Sequence, residues 1–165
     1  MSQASHQHIV TALVQNEAGT INRLVSLFRR RGFSLASFNA GDCEEEGLSR
    51  LTLLVNGGDE DVSRCILQLE KLIDVVECED LGPAESVSRE LALIKVEPET
   101  EQRDRLSRLI NDYYGRIVRI AEKVVVVEIS ASPTQIEKFV ETLRPFNVTE
   151  VVRTGLVAMR VEGCR

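Results

Sequence analysis

The sequence predicts an α+β fold, built as two ferredoxin-like βαββαβ domains in tandem, and three observations carry that prediction. Four apolar quartets recur at the i, i+3, i+4, i+7 spacing of one helix face. Short runs rich in Val, Ile and Leu flank each quartet, with the alternation of half-buried strands. The order of these elements then repeats past Gly82-Pro83, which divides the chain into residues 1–82 and 83–165.

The first strand is read at His8–Val14. It ends in the turn Asn16-Glu17-Ala18-Gly19, and a helix follows on the face Ile21, Leu24, Val25 and Phe28. Gly32 marks its end, where the left-handed conformation favours glycine. A second strand runs Phe33–Ala40, an acidic hairpin loop covers 41–47, and a third strand runs Leu48–Val55. Asp59 is the expected cap of a second helix, whose face is Val62, Cys65, Ile66 and Leu69. A fourth strand lies near Val75–Leu81. Right-handed crossovers place both helices on one face of the sheet.

The second half opens with a strand at Leu91–Val96, followed by the helical face Leu106, Leu109, Ile110 and Tyr113. The region 116–129 reads either as two strands or as one bent strand. Ser132-Pro133 combines a capping hydroxyl with a proline suited to the first helical position, ahead of Ile136, Phe139, Val140 and Leu143. One or two final strands lie between Val148 and Val161, split at Gly155. The four quartets are expected in the cores, with Leu91, Tyr113 and Tyr114 as core or domain contacts.

Composition narrows the function. The 165 residues are 43% hydrophobic but only 4% aromatic, so Val, Leu and Ile fill the cores. Two domains of roughly eighty residues are each marginal alone, which favours pairing or oligomerisation. The net charge is −6, and Arg29, Arg30 and Arg31 form the only basic run, facing Glu44, Glu45 and Glu46 nearby. That run suits a helix C-terminus and argues against nucleic-acid binding. No apolar run reaches the ~20 residues of a membrane helix. The four cysteines have no CxxC spacing, and Met1–Gln7 lacks the character of a leader, so a reduced, cytoplasmic setting is expected.

Catalytic groups are scarce. The two histidines, His6 and His8, sit in or beside an N-terminus expected to be frayed and solvated, where neither a nucleophile-base pair nor an HxH metal site is well supported. Gly41 and Gly57-Gly58 belong to no phosphate-binding pattern. Asp59, Glu60 and Asp61 fit the first turn of a helix, where the dipole favours them. The turn Asn16–Gly19 stands apart. A helix N-terminus offers unpaired N–H groups to a carboxylate, and glycine permits close approach. An ordinary strand-to-helix turn capped by Asn16 accounts for the same residues.

The residues around this turn extend into a longer likeness. The stretches 13–24 and 27–35 resemble the opening of the acetolactate synthase regulatory (small) subunit family, which begins with an amino-acid-sensing ACT domain. Residues 48–52, 68–76, 89–96, 143–146 and 153–155 resemble later parts of that family in the same order. The resemblance implies an N-terminal ACT domain that dimerises edge to edge and binds valine, or a related branched-chain amino acid, at the dimer interface. It implies a C-terminal ACT-like domain that contacts and activates a large catalytic subunit. That partner is expected to carry thiamine diphosphate, Mg and FAD and to condense two pyruvates, or pyruvate with 2-oxobutyrate; none of these cofactors is expected on this chain, and no catalytic or metal residue either.

The effector residues implied by the resemblance are Asn16 and Gly19, with Ala18, Thr20 and Ile21 lining the same turn, and Ser34 with Leu35 after Gly32-Phe33. The family commonly carries Asn where this chain has Ser34. A lost hydrogen bond to a charged group weakens binding by roughly 1.5–3 kcal/mol, or about ten- to a hundredfold, so weaker or altered valine feedback is expected. The stretch 38–41 also departs from the family text, and Asn39 replaces the lost contact only if it faces the pocket. One rival reading is an ACT-type sensor serving another enzyme or acting as a transcriptional regulator. Another is a small ferredoxin-like enzyme.

Overall fold

The computed structural model describes residues 7–82 and 86–161. His6, Pro83 and Cys164 lie outside them. The chain forms two compact units. One contains the described residues up to Ser88 and the returning segment 156–161; the other is Arg89–Gly155.

In the first unit, β1 (Gln7–Gln15), β2 (Ser34–Asp42), β3 (Leu48–Asn56) and β4 (Val75–Leu81) form an antiparallel sheet of order β2-β3-β1-β4. Helices α1 (Thr20–Arg31) and α2 (Asp59–Leu69) join them. Val10, Ala12, Val14, Leu51, Leu53 and Val55 alternate along β1 and β3. They pack against Leu24, Leu27 and Phe28 of α1 and Val62, Cys65 and Leu69 of α2 in one core. The second unit repeats the plan. Strand β5 (Ser86–Val96), which begins in the first unit, is followed by α3 (Arg103–Asp112), β6 (Arg116–Ala121), β7 (Val124–Ala131), α4 (Pro133–Leu143) and β8 (Val148–Arg153). The strand order is β6-β7-β5-β8, and β9 (Val157–Arg160) also pairs with β5. Ile94, Val127, Leu106, Ile110, Ile136, Phe139 and Leu143 are among its core residues. Two tandem βαββαβ units are thus present, with 116–131 resolved as two strands and the last segment split at Gly155.

Local chemistry explains most boundaries. Ser132 caps α4, its hydroxyl accepting from the Gln135 N–H at 3.4 Å, with Pro133 in the first turn. Gly32 ends α1 at φ +70°, and its N–H returns to the last carbonyls of the helix. At α2 the cap is Gly58 rather than Asp59: the Asp61 carboxylate accepts the Gly58 N–H at 3.2 Å, leaving Asp59 as the first helical residue. The basic run closes α1 in solvent, and Glu44 bonds Arg50 at 2.8 Å instead.

Three expectations give way. Ile21 and Val25 are 41% and 52% exposed, while Thr20 and Leu27 take the buried positions on α1. Tyr114 adopts φ +57° just past α3 and is almost wholly exposed, so it is no core contact. Tyr113 does pack, its ring 5.0 Å from that of Phe139. His8 is not in a frayed end: it lies in β1, half-buried, with Nδ1 3.3 Å from Asp80 and Nε2 3.4 Å from Asp59.

Candidate functional site

The turn between β1 and α1 is fixed from three sides. The Asn16 N–H donates to the Gly47 carbonyl at 2.8 Å, and the Gln15 N–H donates to the Asp74 carbonyl at 2.8 Å. Within the turn, the Thr20 N–H reaches the Glu17 carbonyl at 3.2 Å. Gly19 is the residue before the helix, at φ +96°, a left-handed conformation that strains any side chain. A Cβ there would also stand 3.1 Å from Nη1 of Arg23. Asn16 makes no capping bond to the helix, so an ordinary Asn-capped turn does not describe it. Among the described residues no acceptor is found for the N–H groups of Ala18, Gly19, Ile21 and Asn22. These donors point from the positive end of the α1 dipole, the arrangement that receives a carboxylate.

Arg23 lies outside the apolar face Ile21, Leu24, Val25 and Phe28 that the spacing selects, yet it reaches this site. Its guanidinium forms a fork with the Asp74 carboxylate, through Nε to Oδ2 and through Nη2 to Oδ1 at 2.7 Å, and Nη2 also lies 3.3 Å from the Thr20 hydroxyl. Asp74 is 5% exposed. The fork raises the Arg23 pKa further above its ordinary value, chiefly through the hydrogen bond to Asp74. A buried carboxylate requires such a partner. The one sequence signal for it was an acid immediately ahead of β4, too generic to read alone.

Asn16 and Ala18 are exposed, Gly19 is half-buried, Thr20 is 2% exposed, and Ile21 is open to solvent. Ser34 is exposed at the start of β2, where its Oγ accepts from Asn56 Nδ2 at 3.1 Å; Asn56 Oδ1 in turn accepts from Gln7 Nε2 at 3.0 Å. Leu35 is half-buried and packs against the core. Ser34 and Asn16 do not meet within one chain. The strand register places Ser34 opposite Asn56 and Gln15 opposite Leu48, eight residues apart along β3, or roughly 27 Å. Asn39 lies opposite Thr52, mid-strand, also away from the turn.

Among the described residues, the two edge strands of this sheet, β2 and β4, have no further strand beside them. Arg23 reaches Asp74 on the β4 side, so the opposite flank of α1, with the exposed Ile21 and Val25, faces the β2 side. An unpaired edge next to exposed aliphatics is a surface suited to strand pairing.

Among the described residues, no group of three or more His, Cys, Asp or Glu side chains is placed to hold a metal, and no helix is long and apolar enough to cross a membrane. Burial pushes the thiols of Cys65 and Cys78 up to about 11 and about 12, the reverse of what an activated nucleophile needs.

The first unit has the βαββαβ arrangement of ferredoxin-like domains, and the match of residues 10–77 to the family described as the AHAS small subunit-like ACT domain makes it an ACT domain. Residues 89–162 match the family described as the small subunit of acetolactate synthase. The chain is 38% identical over 153 residues to a probable acetolactate synthase small subunit of Methanothermobacter thermautotrophicus, covering 92% of this chain and 91% of that one. It is 36% identical to the acetolactate synthase small subunit of Aquifex aeolicus, covering 94% and 82%. The crystal structure of the small subunit from Thermotoga maritima superposes with a TM-score of 0.91 at 34% identity, covering 96% and 99%. The chain belongs to the acetolactate synthase small-subunit family.

Proposed function

We propose that this chain regulates acetolactate synthase: it activates the large catalytic subunit and confers feedback inhibition by valine or a related branched-chain amino acid. The chemistry resides on the partner, which carries thiamine diphosphate, Mg and FAD. This chain contributes no catalytic group and works alongside that enzyme in the cytoplasm.

The observation that carries the sensing part is the split of the expected effector residues. The Asn16–Ile21 turn and the Ser34–Leu35 pair stand at opposite ends of one sheet. Pairing β2 with β2 of a second copy in antiparallel fashion brings the two ends of different chains towards each other. The unpaired β2 edge and the exposed Ile21 and Val25 support this dimer. In it, the free N–H groups of the turn receive the effector carboxylate, the Asn16 amide holds its polar end, and Ser34 and Leu35 close the pocket from the other chain. The amino acid then shifts activity by its difference in affinity for two arrangements of the dimer, typically 1–3 kcal/mol of coupling. The family match over the second unit supports its role in contacting the catalytic subunit.

The test is calorimetric titration of the chain with L-valine, L-leucine and L-isoleucine, alongside acetolactate formation by a catalytic subunit with and without this chain. Stereoselective binding lost in Asn16→Ala, together with a rise in activity that the same amino acid reverses, is the expected result. No binding of any of the three overturns sensing; no effect on the catalytic subunit overturns the regulatory reading.

A further inference from the structure

We infer that Arg23, clamped by Asp74, is a positioning residue for the effector turn, so that effector affinity depends on an ion pair that never touches the effector. The inference rests on the sensing role proposed for that turn and adds to it the element that holds the turn in shape.

Asp74 holds the turn from both ends at once. Its backbone carbonyl accepts the N–H of Gln15, the residue just before Asn16, at 2.8 Å. Its side chain takes two N–H groups of Arg23, one turn into α1 from Gly19. The four turn residues Asn16–Gly19 are thus strung between two attachments to a single residue. Arg23 adds two further constraints from the helix side. Its backbone N–H closes on the Gly19 carbonyl at 2.9 Å, and its Nη2 lies 3.3 Å from the hydroxyl of the buried Thr20. The guanidinium itself packs over the Gly19 Cα, where an added Cβ would be 3.1 Å from Nη1. The α2–β4 loop that carries Asp74 is anchored by its own bonds, Leu72 N–H to the Leu69 carbonyl at 2.9 Å and Val75 N–H to the Leu72 carbonyl at 3.0 Å. The fork is therefore a brace from a fixed loop to the first turn of α1.

Only arginine supplies this brace. Two parallel N–H bonds to one carboxylate fix direction as well as distance, whereas a lysine ammonium retains the charge and loses the fork. Receiving a carboxylate at a helix N-terminus depends on the aim of a few N–H groups, and a small tilt of the first turn misdirects them. Loss of the brace is expected to weaken effector binding while the sheet and the two helices remain folded.

The test uses the full chain as wild type, Arg23→Lys, Arg23→Gln and Asp74→Asn. Each is titrated calorimetrically with L-valine and followed by amide hydrogen exchange without ligand. Exchange at Gln15 and Thr20 is expected to speed up tenfold or more in Arg23→Gln and Asp74→Asn, with amides of β3 unchanged, and valine affinity is expected to fall at least tenfold. Arg23→Lys is expected to recover part of both, an ordering that general destabilisation does not give. Wild-type exchange and affinity in a folded Arg23→Gln chain would overturn the inference. If the wild-type chain binds no valine, the sensing role falls, and with it the inferred dependence of affinity on the pair. The exchange data then decide separately whether Arg23 braces the turn.

Discussion

Ser34 and Asn16 occupy opposite ends of the same four-stranded sheet, Ser34 in the row with Asn56 and Gln7, Asn16 just beyond the row of Gln15 and Leu48. A pocket that uses both residues therefore draws on two chains. The Ser34 oxygen already accepts from the Asn56 amide at 3.1 Å, which leaves it the hydroxyl proton and one further lone pair. Ser34→Asn puts an amide with both donor and acceptor in this place. The expected outcome is a valine affinity raised about ten- to a hundredfold, the equivalent of one hydrogen bond to a charged group, read by calorimetry. An unchanged affinity would remove position 34 from the effector site.

The same geometry makes the dimer testable. Val25 is 52% exposed on the flank of α1 that faces the β2 edge, and nothing in its own chain needs it there. Val25→Arg is expected to leave the thermal midpoint of a dilute sample nearly unchanged, since surface substitutions usually stay within about 0.5 kcal/mol. Two like charges set across a twofold axis are expected to shift sedimentation towards monomer. A Val25→Arg chain that sediments as wild type would place the interface elsewhere.

Helix α1 shows what a sequence carries and what it withholds. Two apolar stripes share Leu24 and Phe28, one completed by Ile21 and Val25 and the other by Thr20 and Leu27. Counting apolar residues selects the first, while the fold buries the second. At about 100° per residue, Arg23 lies on the Leu27 flank, so the rotation that buries Leu27 also brings Arg23 to Asp74. That partner is fifty-one residues away in the chain, beyond the reach of periodicity. The other helices offered no competing stripe, and Val62, Cys65, Ile66 and Leu69 pack as their spacing predicts. The order of elements along the chain and the position of the Gly19 turn were legible because glycine, proline and the periodicity of each element act locally. The pairing of Asp74 with Arg23, and the distance between Asn16 and Ser34, depend on register and were not.

The cysteines separate by environment. Cys65 is buried in the first core and the half-buried Cys78 packs against it, and burial is the main cause that holds both thiols protonated. Alkylation with iodoacetamide at pH 8 is expected to spare both in the native chain and to label them in urea, with peptide mapping as the readout. The same shifts have a sign for stability. The folded pKa values lie above the ordinary thiol value, so the unfolded chain ionises first. The contribution is complete below about pH 9 and is lost as pH rises towards 11 and 12. Cys65→Ala is therefore expected to lower the midpoint near neutral pH by removing core volume, and to flatten its decline at alkaline pH. A steeper decline would contradict the assignment.

The second unit offers a test of its own stability through α4. Ser132 accepts the Gln135 N–H, and the Gln135 side chain answers by accepting the Ser132 N–H at 3.2 Å, so two helix-end donors depend on this pair. Ser132→Ala removes the cap and is expected to cost about 1 kcal/mol. Phe139→Ala, at a fully buried position facing Tyr113, is expected to cost about 3–5 kcal/mol through lost contacts and the cavity left behind. Two compact units need not unfold together, so the readout is residue-resolved: amide exchange in α4 and β7 is expected to rise in both variants, far more in Phe139→Ala, with β1 and β3 unaffected. Equal loss of protection in β1 would mean that the two units unfold as one. In that case valine binding, if the first unit carries it, would fall in Phe139→Ala as well, although no residue of the effector turn had been changed.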